Sequence, residues 1–192
     1  MSLCRVSSLL LLALFVENVG STATCRTTCC TFVQNFPLRL KQLRTSFFEM
    51  KEYYEEKDQV EKALLDESVL VEIKSPFGCH AVSDILRFYL EHVFPTVYVS
   101  SHEFKSPIDR IGGIFHELKR ELIHCKDFFS CKKPFELNSI IDTYNKMQER
   151  GLYKAMRELE PFFNYIEEYM ASKRHKSTSA SHGKPSEALT PS

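Results

Sequence analysis

Residues 36–54 read FPLRLKQLRTSFFEMKEYY, and the apolar members Phe36, Leu40, Leu43, Phe47, Met50 and Tyr54 step by four, three, four, three and four. That spacing keeps one face of an α-helix apolar for five turns. Pro37 fits the first turn of such a helix, where its missing N–H costs nothing. The same periodicity recurs on either side. Val82, Ile85, Leu86, Tyr89, Leu90, Val93 and Phe94 form a second stripe, ended by Pro95. Ile111, Phe115, Leu118, Leu122 and Cys125 form a third, with Pro107 before it. Leu137, Ile140, Ile141, Tyr144 and Met147 make a fourth, closed by Gly151, and Leu152, Met156, Leu159, Phe163, Ile166 and Met170 make the last. A shorter helix is expected within 60–71, where Leu64, Leu65, Val69 and Leu70 cluster. Only 96–99 alternates with period two, in an expected loop. The pattern predicts an all-α bundle whose helices share one core.

Seven cysteines set the compartment: Cys4, Cys25, Cys29, Cys30, Cys79, Cys125 and Cys131. Residues 1–23 read as a secretion signal. Arg5 is their only basic residue, an apolar run from Val6 to Val16 is broken only by Ser7 and Ser8, and Ser21, Thr22 and Ala23 supply a small-residue cleavage site. That run is too short to span a bilayer, which takes about 20 apolar residues. Cleavage after Ala23 leaves six cysteines, an even set expected to pair outside the cell. The expected product is a soluble extracellular domain over 24–172 and a tail over 173–192. The tail is rich in Ser, Thr, Lys, His and Pro with almost nothing apolar, so disorder is expected.

The whole chain carries 25 basic and 25 acidic residues, and residues 24–172 retain 20 and 23. A body with slight negative excess has no basic stripe for a phosphate backbone, which argues against nucleic acid as a partner. No catalytic or metal motif stands out, and no cofactor is implied. His116-Glu117 is followed by His124 at a spacing of eight, whereas a zinc-protease helix needs its second His four after the first. Cys25, Cys29, Cys30 and His80 could be imagined around zinc, but disulfides are the better default in a secreted chain. The enzyme reading has no residue to stand on. Two classes remain: a signalling ligand that presents helix surfaces to a receptor, and a helical lipid carrier. Distinct helices, fifteen Phe and cross-chain cysteines favour the ligand, because they suit one packed core.

The segment 151–160, GLYKAMRELE, followed by 164–170, NYIEEYM, resembles the final helix of the interleukin-10 cytokine family. The resemblance extends upstream through Lys57-Asp58-Gln59, Leu64-Leu65, Glu67-Ser68, Gly78-Cys79 and Phe88-Tyr89-Leu90-Glu91, in family order, and covers nearly all of 29–172.

By that resemblance alone, the fold would have six helices, A to F, in an intertwined homodimer where helices E and F of one chain complete the core of the other. The family's two bridges would map to Cys29–Cys125 and Cys79–Cys131, with Cys25–Cys30 as a third, local one. Cys29 and Cys30 are adjacent, and a gapless alignment through Phe32 and 35–44 favours Cys29 as the partner of Cys125. The resemblance also implies the function of a secreted immunoregulatory, anti-inflammatory cytokine. It would cluster class II cytokine receptors, both high-affinity and shared accessory chains, and trigger kinase-linked transcription signalling. A monomeric relative of the interleukin-20 or interleukin-22 group is the rival within the class. Receptor contacts would fall on Lys41, Arg44, Lys51 and Glu55 of helix A, Glu61 of the following loop, and Lys154, Glu158, Glu160 and Glu167 of helix F. Two features depart from the family pattern. Pro161 should kink helix F by orphaning the Arg157 carbonyl, and Gly112-Gly113 should loosen the start of helix D by about 1 kcal/mol each relative to Ala.

Overall fold

The computed structural model describes residues 25, 27–131 and 138–179, the side chains of 138 and 175–179 excepted. Among the described residues it is all helical. The elements are α1 (Thr28–Phe48), α2 (Lys51–Lys57), α3 (Glu67–Lys74), α4 (Gly78–Phe88), a π-helical turn (Tyr89–Val93), α5 (Phe94–Ser100), a 3₁₀ turn (His102–Phe104), α6 (Lys105–His124), α7 (Lys126–Phe129), α8 (Asn138–Lys146), α9 (Glu149–Arg157) and α10 (Leu159–Ser179). They group into six helical regions, as the periodicity requires, with α1 packed between α10 and α6. The signal and residues 180–192 lie outside the described residues.

The apolar stripes converge on one core. Phe36, Leu40, Leu43, Phe47, Met50 and Tyr54 are all buried. The centre is aromatic: Tyr89 stacks on Phe162 with ring centroids 5.6 Å apart, and Phe115 meets Phe94 at 5.7 Å and Phe162 at 5.7 Å. Offset and edge contacts of this kind add about 0.5–1.5 kcal/mol per pair beyond burial. The buried Tyr89 hydroxyl donates to the Ala155 carbonyl at 2.9 Å, which ties the π turn to α9.

Two prolines sit where tertiary context overrides local expectation, and a third acts as expected. Pro37 lies inside α1 and not in its first turn, because the helix begins nine residues earlier at Thr28. Thr27 caps that start, its hydroxyl accepting from the Cys30 amide at 3.2 Å. Pro95 does not end its stripe. The chain widens into the π turn, the Phe94 amide donates to the Tyr89 carbonyl, and Pro95 then opens α5, where it needs no donor. The expected loop at 96–99 is therefore helical. Pro161 breaks the last region as expected: α9 stops at Arg157 and α10 restarts at Leu159 with Pro161 in its first turn. The helix expected within 60–71 begins only at Glu67. Leu64 and Leu65 are buried, but they belong to the non-helical loop before it.

Three disulfides fasten the bundle: Cys25–Cys30, Cys29–Cys125 and Cys79–Cys131, with Cα separations of 5.4, 5.7 and 5.2 Å. Cys29, not Cys30, reaches Cys125. Helix α10 also runs past the expected boundary at 172. Lys173 is buried and donates to the Phe129 carbonyl at 3.1 Å, beside the Tyr169 hydroxyl, which donates to the same oxygen at 3.3 Å. Both supply donors for the end of α7, whose C-cap Ser130 is left-handed at φ 59°. Helices α9 and α10 complete the core of their own chain, Phe162, Phe163, Ile166 and Met170 being fully enclosed.

Candidate functional site

Helices α1 and α10 run antiparallel, and two ion pairs tie α10 to α1 and to α2. Arg44 Nη2 lies 2.7 Å from Glu167 Oε2 and 2.8 Å from Asn164 Oδ1. One double turn on, Lys51 Nζ lies 2.7 Å from Glu160 Oε2 and 3.8 Å from Glu55. Seven residues separate the two cations and seven separate their carboxylates, both on α10, so the charges meet like rungs despite the short break between α1 and α2. The hydrogen bond to Glu160, against some burial, holds the Lys51 ammonium above its ordinary value. Lys41 and Glu61 are exposed and make no ion pair among the described residues.

Lys154 and Glu158 stand differently. They are only 6% and 7% exposed, and both turn into the protein against the loop after α2. The Glu158 carboxylate accepts the backbone amides of Leu64 at 3.1 Å and Leu65 at 2.7 Å. Lys154 Nζ donates to the Val60 carbonyl at 2.7 Å and reaches Asp58 Oδ2 at 3.3 Å and Glu158 Oε1 at 3.5 Å. Arg157 closes the set at 3.1 Å from Asp58, whose other oxygen accepts the Val60 amide at 3.0 Å. Residues 58–65 form a loop with no helix or strand of their own, so their amides and carbonyls must find partners elsewhere. Here α9 supplies them. Burial pushes the Glu158 carboxyl up, and the Leu65 and Leu64 amides and Lys154 only partly hold it back. Burial acts the same way on Asp58, but the Val60 amide, Arg157 and Lys154 more than offset it, so its carboxyl lies below its ordinary value.

Of the nine residues expected at the contact surface, the structure places Arg44, Lys51, Glu55, Glu160 and Glu167 along one α1–α2/α10 face, with Lys41 at its outer edge beside the α1–α6 groove and Glu61 on the loop after α2. Lys154 and Glu158 lie beneath that loop and position it. Sequence reading assigned no role to Asp58, Arg157 and Asn164, and no local spacing could have done so. Asp58 lies 96 residues from Lys154, and only the packing of α9 on the loop brings them together.

Elsewhere, His116 is exposed and Glu117 pairs with Arg39 at 3.0 Å. Among the described residues no group of three or more His, Cys, Asp or Glu could hold a metal ion, and no helix is long and apolar enough to cross a membrane. A shallow groove between α1 and α6 is lined by Leu38, Lys41, Thr45, Ser46, Arg110 and Ile114 among others. The arrangement suits non-covalent recognition across a charged helical face.

An all-α, disulfide-fastened bundle that displays one charged helix pair and a loop held rigidly beside it is the build of a helical cytokine, a non-enzymatic signalling protein. The comparisons agree. The family model for Interleukin 10 matches residues 4–172. The chain is 38% identical over 151 residues to Interleukin-10 of Gallus gallus, covering 78% of this chain and 86% of that protein. It is 34% identical over 171 residues to Interleukin-10 of Sus scrofa, covering 88% and 98%, and 35% identical over 172 residues to that of Cervus elaphus, covering 87% and 96%. The chain belongs to the interleukin-10 family.

Proposed function

We propose that the protein is a secreted, interleukin-10-like immunoregulatory cytokine with anti-inflammatory output. It leaves the cell after removal of 1–23 and acts by gathering class II cytokine receptor chains. The high-affinity chain binds the face formed by Lys41, Arg44, Lys51, Glu55, Glu61, Glu160 and Glu167, while Lys154 and Glu158 hold loop 58–65 in the shape that chain meets. The observation that carries the reading is the pair of cross-helix ion bridges beside a locked loop, in a chain of this family. Paired charges on such a face tune association rate and partner choice more than affinity.

Binding of the oxidised protein to the ectodomain of an interleukin-10-type high-affinity receptor, by surface plasmon resonance, tests this directly. The proposed face requires saturable binding that Lys51→Glu weakens at an unchanged melting temperature. Failure of the unsubstituted protein to bind at any attainable concentration would remove the reading.

The active form we propose is a homodimer in which α8–α10 exchange between chains. The described packing supports a second reading. Because α9 and α10 fill the core of their own chain, a stable monomer of the interleukin-20 or interleukin-22 kind needs no exchange. The two forms make the same helix contacts and differ in which chain supplies them.

A further inference from the structure

Phe48 is 78% exposed, although Phe47 beside it is buried and packs edge-on against Phe163 with centroids 6.0 Å apart. Single exposed apolar residues are ordinary, so exposure alone says little. What separates Phe48 from exposed Leu38, Val71, Val99 and Ile123 is its place. It is the last residue of α1, and buried Phe47 and Met50 hold the backbone on either side. Along the same stripe it sits between Arg44 and Lys51, the two cations that bridge to α10. Lys41, Arg44 and Phe48 span an arc of only about 60° on the helix.

The ring has no evident folding role. It contributes little buried surface, and Phe is a poorer helix former than Ala, Lys or Glu at an exposed position. It does have the surroundings of a binding hot spot: an apolar side chain on a rigid element, within a rim of polar groups that already satisfy one another. Because Arg44 and Lys51 are paired within the molecule, the rim around the ring is close to neutral. Lys41 supplies the one rim cation without an ion pair among the described residues.

We infer that Phe48 is the apolar anchor of this face, and that its occupant is a receptor ectodomain presenting an apolar socket with an acidic side chain beside it, opposite Lys41. This rests on the receptor-binding reading and names the chemistry of the partner at that site. The ring enters the socket and loses its water there, while the α1–α10 bridges exclude solvent around it. Lys41 contributes through steering, which salt screens.

The test compares unsubstituted protein, Phe48→Ala, Phe48→Leu, Lys41→Glu and Lys51→Glu for binding to the high-affinity receptor ectodomain, with melting temperature and light-scattering mass recorded for each. Phe48→Ala should weaken binding by about 30-fold or more, chiefly through faster dissociation. Phe48→Leu should recover part of that loss, and Lys41→Glu should slow association in a salt-dependent way. No binding by the unsubstituted protein would overturn the receptor reading and this inference with it. Normal binding by Phe48→Ala, alongside weakened binding by Lys51→Glu, would overturn the anchor alone. A fall in mass on Phe48→Ala without loss of receptor binding would assign the ring to a second copy of the chain and also overturn it.

Discussion

Glu158 shows how little a charge pattern says about a residue's task. Its carboxylate is enclosed and receives two backbone amides and a lysine, so Glu158→Ala leaves three buried donors short of an acceptor. We expect a loss of about 3 kcal/mol, read by urea unfolding, together with weaker receptor binding as loop 58–65 loosens. Unchanged stability with weakened binding would instead make Glu158 a direct contact. Arg44 is half-exposed, and exposed ion pairs contribute about 0–1 kcal/mol. Arg44→Glu should therefore cut receptor binding while shifting unfolding by no more than about 1 kcal/mol; equal loss of both would make it structural. Asp58 gives an acid signature. Its native carboxyl lies below 3.8, so its contribution is present above that value and lost as pH falls through the native one. Glu158 is shifted the other way, above 4.5, and its contribution declines as pH rises from there. Unfolding titrations below 3.8 should be steeper for the unsubstituted protein than for Asp58→Asn. Parallel curves would exclude Asp58 from the acid transition.

At the scale of elements, the glycines divide by what a Cβ would meet. Gly113 is exposed in the interior of α6, and a Cβ there touches nothing within 4 Å. The helix therefore carries a backbone-entropy penalty with no packing reason for it. Gly113→Ala should raise stability by about 0.5–1 kcal/mol, visible as a higher melting temperature; a drop would mean that α6 needs its looseness. Gly78 is the opposite case. A Cβ would lie 2.0 Å from the Ile73 carbonyl oxygen and 2.9 Å from the Tyr169 ring, so this turn into α4 admits no side chain without shifting backbone. The prolines teach the same lesson. Pro95 keeps its helical direction by a π turn, and the split at Pro161 falls ahead of Glu160 and Glu167, which keep their partners on α2 and α1 from one helix.

For the whole molecule, the bridges differ by the length of chain they close. Loop-closure entropy scales with the logarithm of that length. Cys25–Cys30 spans 5 residues and contributes about 2 kcal/mol, whereas Cys29–Cys125 spans 96 and contributes about 4.7 kcal/mol. Removing the local pair should leave a folded protein, while Cys79→Ser, which opens a span of 52, should block secretion of folded material. Normal secretion and full activity of Cys79→Ser would refute that. Light scattering of the oxidised protein at several concentrations decides between exchanged and closed forms. Twice the chain mass supports exchange of α8–α10, and a concentration-independent monomer supports the closed bundle.

Periodicity determined the six helical regions and which side chains enter the core, because one apolar face per helix can be read along the chain. The six cysteines beyond residue 23 pointed to a disulfide-fastened domain before any pairing was assigned. The resemblance of 151–170 to the family suggested the α1 and α10 face as the contact surface. The helix start at Thr28 and the continuation through Pro95 were decided by a cap, a π turn and packing, which outweigh local propensity. So was the work of Lys154 and Glu158. Sequence gives two charges their positions, but whether each meets solvent or a neighbouring loop depends on contacts almost a hundred residues apart, and those exist only once the helices have packed.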